Sequence, residues 1–316
     1  VEVVSTGYQE IPKERATGSF VQLDNELIDR RVSSTILERM EDVSSGVIFN
    51  RNVGTNEPIS IRGRSTLFGN TQPLIVIDNL PYEGSIDNIN PNDVESITVL
   101  KDAAAASIWG AQAGNGVIVI TTKSGQYNRP IQVSFQSNLT VVEKPDLFYE
   151  PQMEMGDFIA QERKLFESGY YNSRINSSAH SPVSFAVEAL LAAKEGRITQ
   201  QEADALLNHY ATQDSRRDLE KYYYRPAVRQ QYAFQVNGGG NSYLFNFSGG
   251  YDHNLSSQVG AQDDRITLNA GQSWKLMKDK LEVSTGLYLT RSVSFSDTGI
   301  PTLDPYEMLA DGQGNA

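Results

Sequence analysis

This sequence has few residues that could act as nucleophiles or metal ligands. Their spacing does not match that of a known catalytic or metal-binding motif. The 316 residues include no Cys, which excludes disulfides, thiolate metal sites and Cys nucleophiles. The three histidines, His180, His209 and His253, form no ligand-spaced pair such as HxxxH. Gly238–Gly240 lacks the Lys-Ser/Thr of a phosphate-binding loop, so a hairpin turn is expected there. We therefore predict that the protein is not an enzyme and holds no metal or cofactor.

The charge balance and the hydropathy pattern exclude two further classes. Asp and Glu total 39 against 27 Lys and Arg, a formal net charge of -12 at pH 7. Nucleic acid is not an expected partner, because binding it requires neutralisation of phosphates. No run of about 18 apolar residues occurs, so no helical membrane span is expected. The sequence begins with Val and has no charged-then-apolar leader, so we expect any export signal to have been removed before residue 1.

Five segments after residue 130 alternate apolar and polar residues with a period of two. They begin near Ile131, Tyr232, Tyr243, Ile266 and Leu281. Each approaches the roughly nine to eleven residues with which a tilted strand crosses a bilayer. Short turns at Asn237–Ser242 and Leu276–Lys280 alternate with longer connections, as in an outer-membrane β-barrel. A soluble antiparallel sheet with one buried face shares the alternation and stays open as the alternative.

The part of the chain before these segments has shorter strands and short helices. Residues 1–125 hold short strand-like runs at 47–49, 59–61, 74–77, 97–100 and 117–121. A helix is predicted over Thr35–Glu41, starting at Ser33 or Ser34, and an Ala-rich helix over Lys101–Trp109, capped by Asp102. These elements predict a small α+β domain.

The long connection at about 145–228 predicts a helical insertion, which would lie outside the cell if the first strand starts in the periplasm. Helices are expected over Val183–Lys194, ended by Gly196, and over Thr199–Tyr210, where Thr199 and Glu202 have capping-box spacing. The leucines that would pack the two helices together are Leu190, Leu191, Leu206 and Leu207.

Several ordered motifs resemble one family closely. They are Ile61-Arg-Gly-Arg-Ser65, Pro73-Leu-Ile-Val-Ile-Asp78, the run from Ile89 to Ala105, and Asn115-Gly-Val-Ile-Val-Ile-Thr-Thr-Lys-Ser-Gly125. At this spacing they resemble the plug of SusC/RagA-family TonB-dependent outer-membrane transporters. The resemblance implies an α+β plug domain followed by antiparallel transmembrane β-barrel strands. Since barrels that hold a plug have about 22 strands, the chain would cover only part of the barrel.

The resemblance also implies boundaries, partners and a location. Residues 1–10 would be a TonB box and linker, 11–125 the plug, and 126–316 the N-terminal part of the barrel with its insertion. The protein would import glycans or peptides across the bacterial outer membrane, together with TonB, a SusD-like surface lipoprotein and the surrounding lipid. A non-catalytic soluble or surface-attached carbohydrate-binding β protein is the alternative.

Candidate site residues follow from the same resemblance. The segment that would add as a strand to TonB is Val1, Glu2, Val3, Val4, Ser5, Thr6, Gly7 and Tyr8, although an ordinary first plug strand is an alternative. Arg62 would help lock the plug to carboxylates of the barrel wall. Gln112 stands where relatives commonly carry a second Arg, so that part of the lock would have no charge. Phe68, Tyr82 and Trp109 are candidate substrate-stacking residues, and packing against the barrel wall explains each of them equally well.

Overall fold

The computed structural model describes residues 19–41, 43–50, 59–61, 63, 71–102, 107–178, 181–296, 299 and 303–310, and the backbone of 3–5 and 10–12. The chain divides into two compact units, each described here by itself. The first unit is Val1–Thr140, Arg229–Asn254 and Asp263–Ser294, and the second is Val141–Val228, Leu255–Gln262 and Phe295–Ala316. Within the described residues, no helix has the length and apolar character to cross a bilayer.

The N-terminal domain is built on a mixed five-stranded sheet. Its strands are β3 (Phe20–Asp24), β6 (Leu74–Ile77), β7 (Leu80–Tyr82), β8 (Val94–Leu100) and β9 (Val117–Thr122). Their order is β3-β8-β9-β6-β7, with β6 and β9 parallel and the other pairs antiparallel. Two small antiparallel pairs are separate from it: β1 (Val3–Ser5) with β2 (Glu10–Pro12), and β4 (Val47–Phe49) with β5 (Ile59–Ile61).

Both faces of this sheet are covered, as the continuous apolar runs of its strands require. Ile118 and Ile120 point into a cluster with Ile36 and Met40, which lie on the helix Ile36–Glu41. The next residues along β9, Val117 and Val119, point to the other face and pack with Trp109. The predicted α+β domain is therefore confirmed, with its core on either side of the central strands β8 and β9.

The helix ends differ from the prediction in detail. The helix Ile36–Glu41 begins after Thr35, whose hydroxyl accepts a hydrogen bond from the Glu38 N–H at 3.3 Å. The predicted start at Ser33 or Ser34 is wrong, because the Ser33 hydroxyl instead accepts from the Thr35 N–H at 3.2 Å. Residues 103–106 of the predicted Ala-rich helix lie outside the described residues, Lys101 and Asp102 are not helical, and Ser107–Ala113 form a 3-10 helix. The Asp102 carboxylate accepts a hydrogen bond from the Ser19 N–H.

The second sheet contains the five alternating segments, neighbours in space in their chain order. Its strands are β10 (Arg129–Val142), β11 (Ala227–Gly239), β12 (Tyr243–Leu255), β13 (Gln262–Leu276) and β14 (Leu281–Phe295). The strands have 13 to 15 residues, longer than predicted, because backbone pairing continues beyond the strictly alternating stretch. Met277, Lys278 and Asp279 adopt φ angles of 52°, 58° and 64° in the second short turn.

The two faces of this sheet distinguish a lipid-facing wall from a water-soluble sheet. On β12, Tyr243 and Phe247 are 48% and 44% exposed, whereas Asn246 and Ser248, on the opposite face, are 5% and 1% exposed. A soluble sheet with one covered face would bury its apolar side. The reversed arrangement, with apolar side chains outward and polar side chains inward, is that of a membrane barrel.

The second unit is mainly helical. Its helices are Met155–Glu167, Asn172–Ile175, Phe185–Lys194, Gln200–Tyr210 and Ser215–Asp218, followed by a π-helical turn at Leu219–Tyr223. The predicted capping box is present, since Thr199 and Glu202 each accept from the other's backbone N–H. The predicted leucine packing is correct for Leu190 and Leu207, which are 6% and 3% exposed, but not for Leu206, which is 39% exposed.

Candidate functional site

The inward face of β12–β14 contacts the N-terminal domain through polar groups, and we call this contact the polar interface. The Arg265 guanidinium donates to Asp252 on the neighbouring strand, from Nη2 at 2.6 Å and from Nε at 2.9 Å. Both side chains are at least 95% buried. The same guanidinium also donates to the backbone carbonyls of Ser34 and Asp87 in the N-terminal domain. A buried guanidinium is tolerated only when its donors are matched in this way.

A loop before β8 also contacts the inward face of the sheet. Asn90 Nδ2 donates to Thr267 Oγ1 on β13 at 3.0 Å, and both residues are 4% exposed. Gly250 on β12 makes room for this contact, because a Cβ there would lie 2.6 Å from Thr267 Oγ1 and closer still to Asn90 Nδ2. Thr290 Oγ1 on β14 donates to the Asn88 carbonyl at 2.9 Å.

The turn after β6 forms a second contact with β14. Asp78 accepts from the Thr122 N–H at 2.8 Å and from the Thr122 hydroxyl at 2.7 Å. The Tyr288 hydroxyl of β14 also donates to Asp78. Asp78 and Asn79 have φ angles of 45° and 72°, so both residues of this turn adopt the left-handed conformation.

Arg39 supports the interface from inside the N-terminal domain. It is 2% exposed and donates to Asp29 Oδ1 and Asn92 Oδ1, each at 2.7 Å, and to the Ser33 carbonyl at 3.1 Å. Burial lowers the pKa of the Arg39 guanidinium, while the Asp29 carboxylate opposes that shift. Asn90 also bonds locally, because its Oδ1 accepts from the Asn92 N–H at 2.9 Å. These bonds hold Asn90 and Asn92 of the loop before β8 to the rest of the plug.

Comparisons with known proteins agree with this arrangement. Residues 12–117 match the TonB-dependent Receptor Plug Domain. The chain is 35% identical over 150 residues to the TonB-dependent receptor SusC of Bacteroides thetaiotaomicron, a stretch of 44% of this chain and 15% of SusC. In structure it matches the RagAB peptide importer in its open-open state with a TM-score of 0.66 over 94% of this chain, at 21% identity. This chain carries a TonB-dependent receptor plug and the strands that follow it, and it resembles receptors of the SusC/RagA type.

The match to these receptors is partial in length. The chain spans 15% of SusC and 33% of the matched chain in the open-open RagAB structure. The closed-closed RagAB structure gives the same TM-score of 0.66, over 95% of this chain and 34% of that chain. In this receptor the N-terminal domain is thus the plug, and β10–β14 are wall strands.

The predicted TonB-binding segment is described only in part. Val3–Ser5 form β1, which pairs with Glu10–Pro12 and places Val4 opposite Ile11. This pair is separate from the five-stranded plug sheet. Val1, Glu2, Thr6, Gly7 and Tyr8 lie outside the described residues. The extended backbone of residues 3–5 is the conformation that strand addition to a partner requires.

The predicted lock and substrate residues have different surroundings. Arg62 and Phe68 lie outside the described residues, and Gln112 is exposed on the 3-10 helix of the plug. Tyr82 is half-buried against the plug core, and its hydroxyl donates to the Ser85 carbonyl at 3.4 Å. Trp109 is only 9% exposed and packs in the plug core with Val76 and Leu100.

Sequence reasoning missed Arg265, Asp252 and Gly250. A usable signal was present, because Asp252 and Arg265 are charged residues at inward positions of two consecutive alternating strands. The partners of Arg265 in the plug are separated from it by 231 and 178 residues, and no local pattern predicts such pairing. Among the described residues, no group of three or more His, Cys, Asp or Glu is arranged to hold a metal ion.

The second unit has a buried polar anchor of its own. The Tyr306 hydroxyl donates to Glu162 Oε2 at 2.7 Å and accepts from the Ala186 N–H at 3.3 Å. Ser184 Oγ donates to the other Glu162 oxygen at 2.7 Å. Burial raises the pKa of the Tyr306 hydroxyl, so this group acts as a hydrogen-bond donor at neutral pH. The helices around positions 155–210 are thereby connected to the chain that follows β14.

Proposed function

We propose that the full-length receptor actively imports a solute across the bacterial outer membrane. The observation that carries this proposal is a folded plug bonded to the polar face of strands whose apolar face is exposed. Such a wall suits lipid outside and a plugged, water-accessible lumen inside. The solute binds outside, force applied from the periplasm rearranges the plug, and no covalent bond is made or broken.

The energy for import is proposed to enter through residues 1–8. Strand addition gives affinity through backbone hydrogen bonds, so it needs an extended segment with an accessible edge. Residues 3–5 have the extended backbone. In this proposal TonB pairs with the segment in the periplasm and transmits the pull to the plug.

The proposed solute is a glycan or a peptide, captured with a SusD-like surface lipoprotein. Similarity to the RagAB peptide importer supports the peptide class, and the resemblance of the plug motifs to the SusC/RagA family supports either class. The two solute classes share dense hydrogen-bonding groups, and the polar inward face of the wall suits both. The alternative, a soluble carbohydrate-binding β protein, predicts a native protein that needs no detergent and does not fractionate with outer membranes.

The test of this function uses the full-length receptor in its own cells. Deletion of residues 1–8, or Val4→Pro, which removes a backbone donor from the pairing strand, should abolish energised uptake and leave surface binding intact. Val4→Ile keeps a β-prone residue and is the matched control. Uptake that continues unchanged in the deletion variant would remove the proposed role of this segment.

A further inference from the structure

Among the described residues, the plug contacts the five wall strands in two different ways. On the β12–β14 side the contacts are direct and buried, since Arg265, Asp252, Asn90 and Thr267 are each at most 5% exposed. Gly250 brings the two backbones together there. Removing one member of such a buried charged set leaves a desolvated group without its partner, so this side resists opening.

On the β10–β11 side a polar cavity of about 350 Å³ separates plug and wall. Plug residues on one side of it include Asn25, Glu95 and Lys123, and wall residues on the other include Gln132, Gln235 and Asn237. Amides, a carboxylate and an ammonium group offer both donors and acceptors. This chemistry suits a solute rich in hydroxyl or peptide groups.

One exposed ion pair lies further along the same strand. Arg229 Nη1 is 3.2 Å from Glu38 Oε2 of the plug, and the two side chains are 41% and 35% exposed. Arg229 lies near the start of β11, at the long-connection end, whereas Gln235 and Asn237 lie towards its short turn. Exposed ion pairs of this kind contribute little to stability, so they break readily. The weak pair and the cavity therefore lie towards opposite ends of the inner face of β11, and Gln231 between them donates to Asp252 within the wall.

We propose that solute passes the plug along β10 and β11, while the plug stays bound to β12–β14. The Arg229–Glu38 pair closes the outer end of this route, and the polar cavity forms its inner part. The proposal rests on the proposed import function and adds the side of the plug that opens. It predicts that energising the receptor raises solvent accessibility on the β10–β11 side of the plug and not on the β12–β14 side.

The test measures thiol labelling of the full-length receptor in cells by a water-soluble, membrane-impermeant maleimide. Because residues 1–316 contain no Cys, Gln235→Cys or Asn237→Cys adds a single thiol to this part of the chain, and Ser248→Cys marks the bonded side. Labelling at 235 and 237 should fall when the proton-motive force is collapsed, and labelling at 248 should not change. A fall at 248 alone, or at none of the three positions, overturns the proposal.

A second experiment tests the Arg229–Glu38 pair in the absence of an energy source. In proteoliposomes, Arg229→Gln should raise the labelling rate of Gln235→Cys about two- to fivefold, as expected when a weak exposed pair is lost. Arg197→Gln removes another exposed pair, with Glu195, and should leave that rate unchanged. An equal rate in both variants contradicts the closing role. Failure of the import function is seen separately, as the absence of energised solute uptake by the parent receptor.

Discussion

Arg265 on β13 and Asp252 on β12 form a buried ion pair whose guanidinium also reaches two carbonyl groups of the plug. At this point the wall binds backbone carbonyl groups of the plug, and the charge that binds them belongs to the wall. Gln231 on β11 completes the set by donating to the second Asp252 oxygen at 3.0 Å.

Arg265→Gln should lower the stability of the receptor by about 3–5 kcal/mol, because it leaves Asp252 buried without its cation. The double variant Arg265→Met with Asp252→Leu should be less affected, since it removes both charges. Thermal unfolding of the full-length receptor in detergent measures both effects. Arg229→Gln, at an exposed pair, is the control and should cost at most about 1 kcal/mol. Equal losses in the single and double variants would contradict the buried-pair account.

Gly250→Ala should loosen the plug, because the added Cβ meets Asn90 and Thr267. Overpacking of this kind costs about 1–3 kcal/mol. Gly271→Ala on β13 is the matched control, since a Cβ there has nothing within 4 Å. Hydrogen exchange of the plug loop 85–93 in the full-length receptor measures the effect, and similar exchange in the two variants would argue against close approach at Gly250.

Asp93 should make the stability of the plug depend on pH. Burial raises the pKa of its carboxyl group, while Ser248, Lys123 and Arg265 oppose that shift and Asp252 adds to it. A carboxyl group with a raised folded-state pKa destabilises the fold at pH values above that pKa. The penalty disappears as the pH falls below the unfolded-state pKa of about 3.9.

Asp93→Asn should therefore raise the unfolding temperature at pH 7 and have little effect near pH 3. The measurement is thermal unfolding of the receptor and the variant across this pH range. A variant that is less stable than the parent at pH 7 would show that attraction to Lys123 and Arg265 outweighs burial.

Tyr306→Phe should loosen the helical unit, because it leaves a buried Glu162 oxygen and the Ala186 N–H without a partner. Such losses cost about 1–3 kcal/mol. Limited proteolysis between positions 155 and 210 in the full-length receptor measures the effect. Tyr170→Phe alters a side chain that is 68% exposed and should leave the cleavage rate unchanged. Equal rates for the two variants would show that Tyr306 is not an anchor.

The sequence predicted well those features that depend on near neighbours along the chain. The alternation around Tyr243 and Phe247 gave the correct strand and the correct outward face, because side-chain direction in a strand has a period of two. The capping box at Thr199 likewise depends on residues three positions apart. The helix Met155–Glu167 was missed, and its N-cap Glu154 makes no side-chain capping hydrogen bond.

The residue pairs of the polar interface could not be predicted from near neighbours along the chain. Asn90 and Thr267 are 177 residues apart, and their contact depends on how the plug sits against the wall. Trp109 shows the same limit, because its type suits either stacking on a solute or packing in a core. Only the fold shows that it lies in the plug core.

The direct test of the central claim is the orientation of β12 in a bilayer. Spin labels placed singly at positions 243 to 252 of the full-length receptor in liposomes report accessibility to oxygen, which partitions into lipid, and to a water-soluble relaxation agent. The account predicts a period of two, with oxygen accessibility highest at Tyr243, Phe247 and Tyr251 and lowest at Asn246 and Ser248. The opposite phase, or no periodicity, would contradict a wall whose apolar side faces lipid and whose polar side holds the plug.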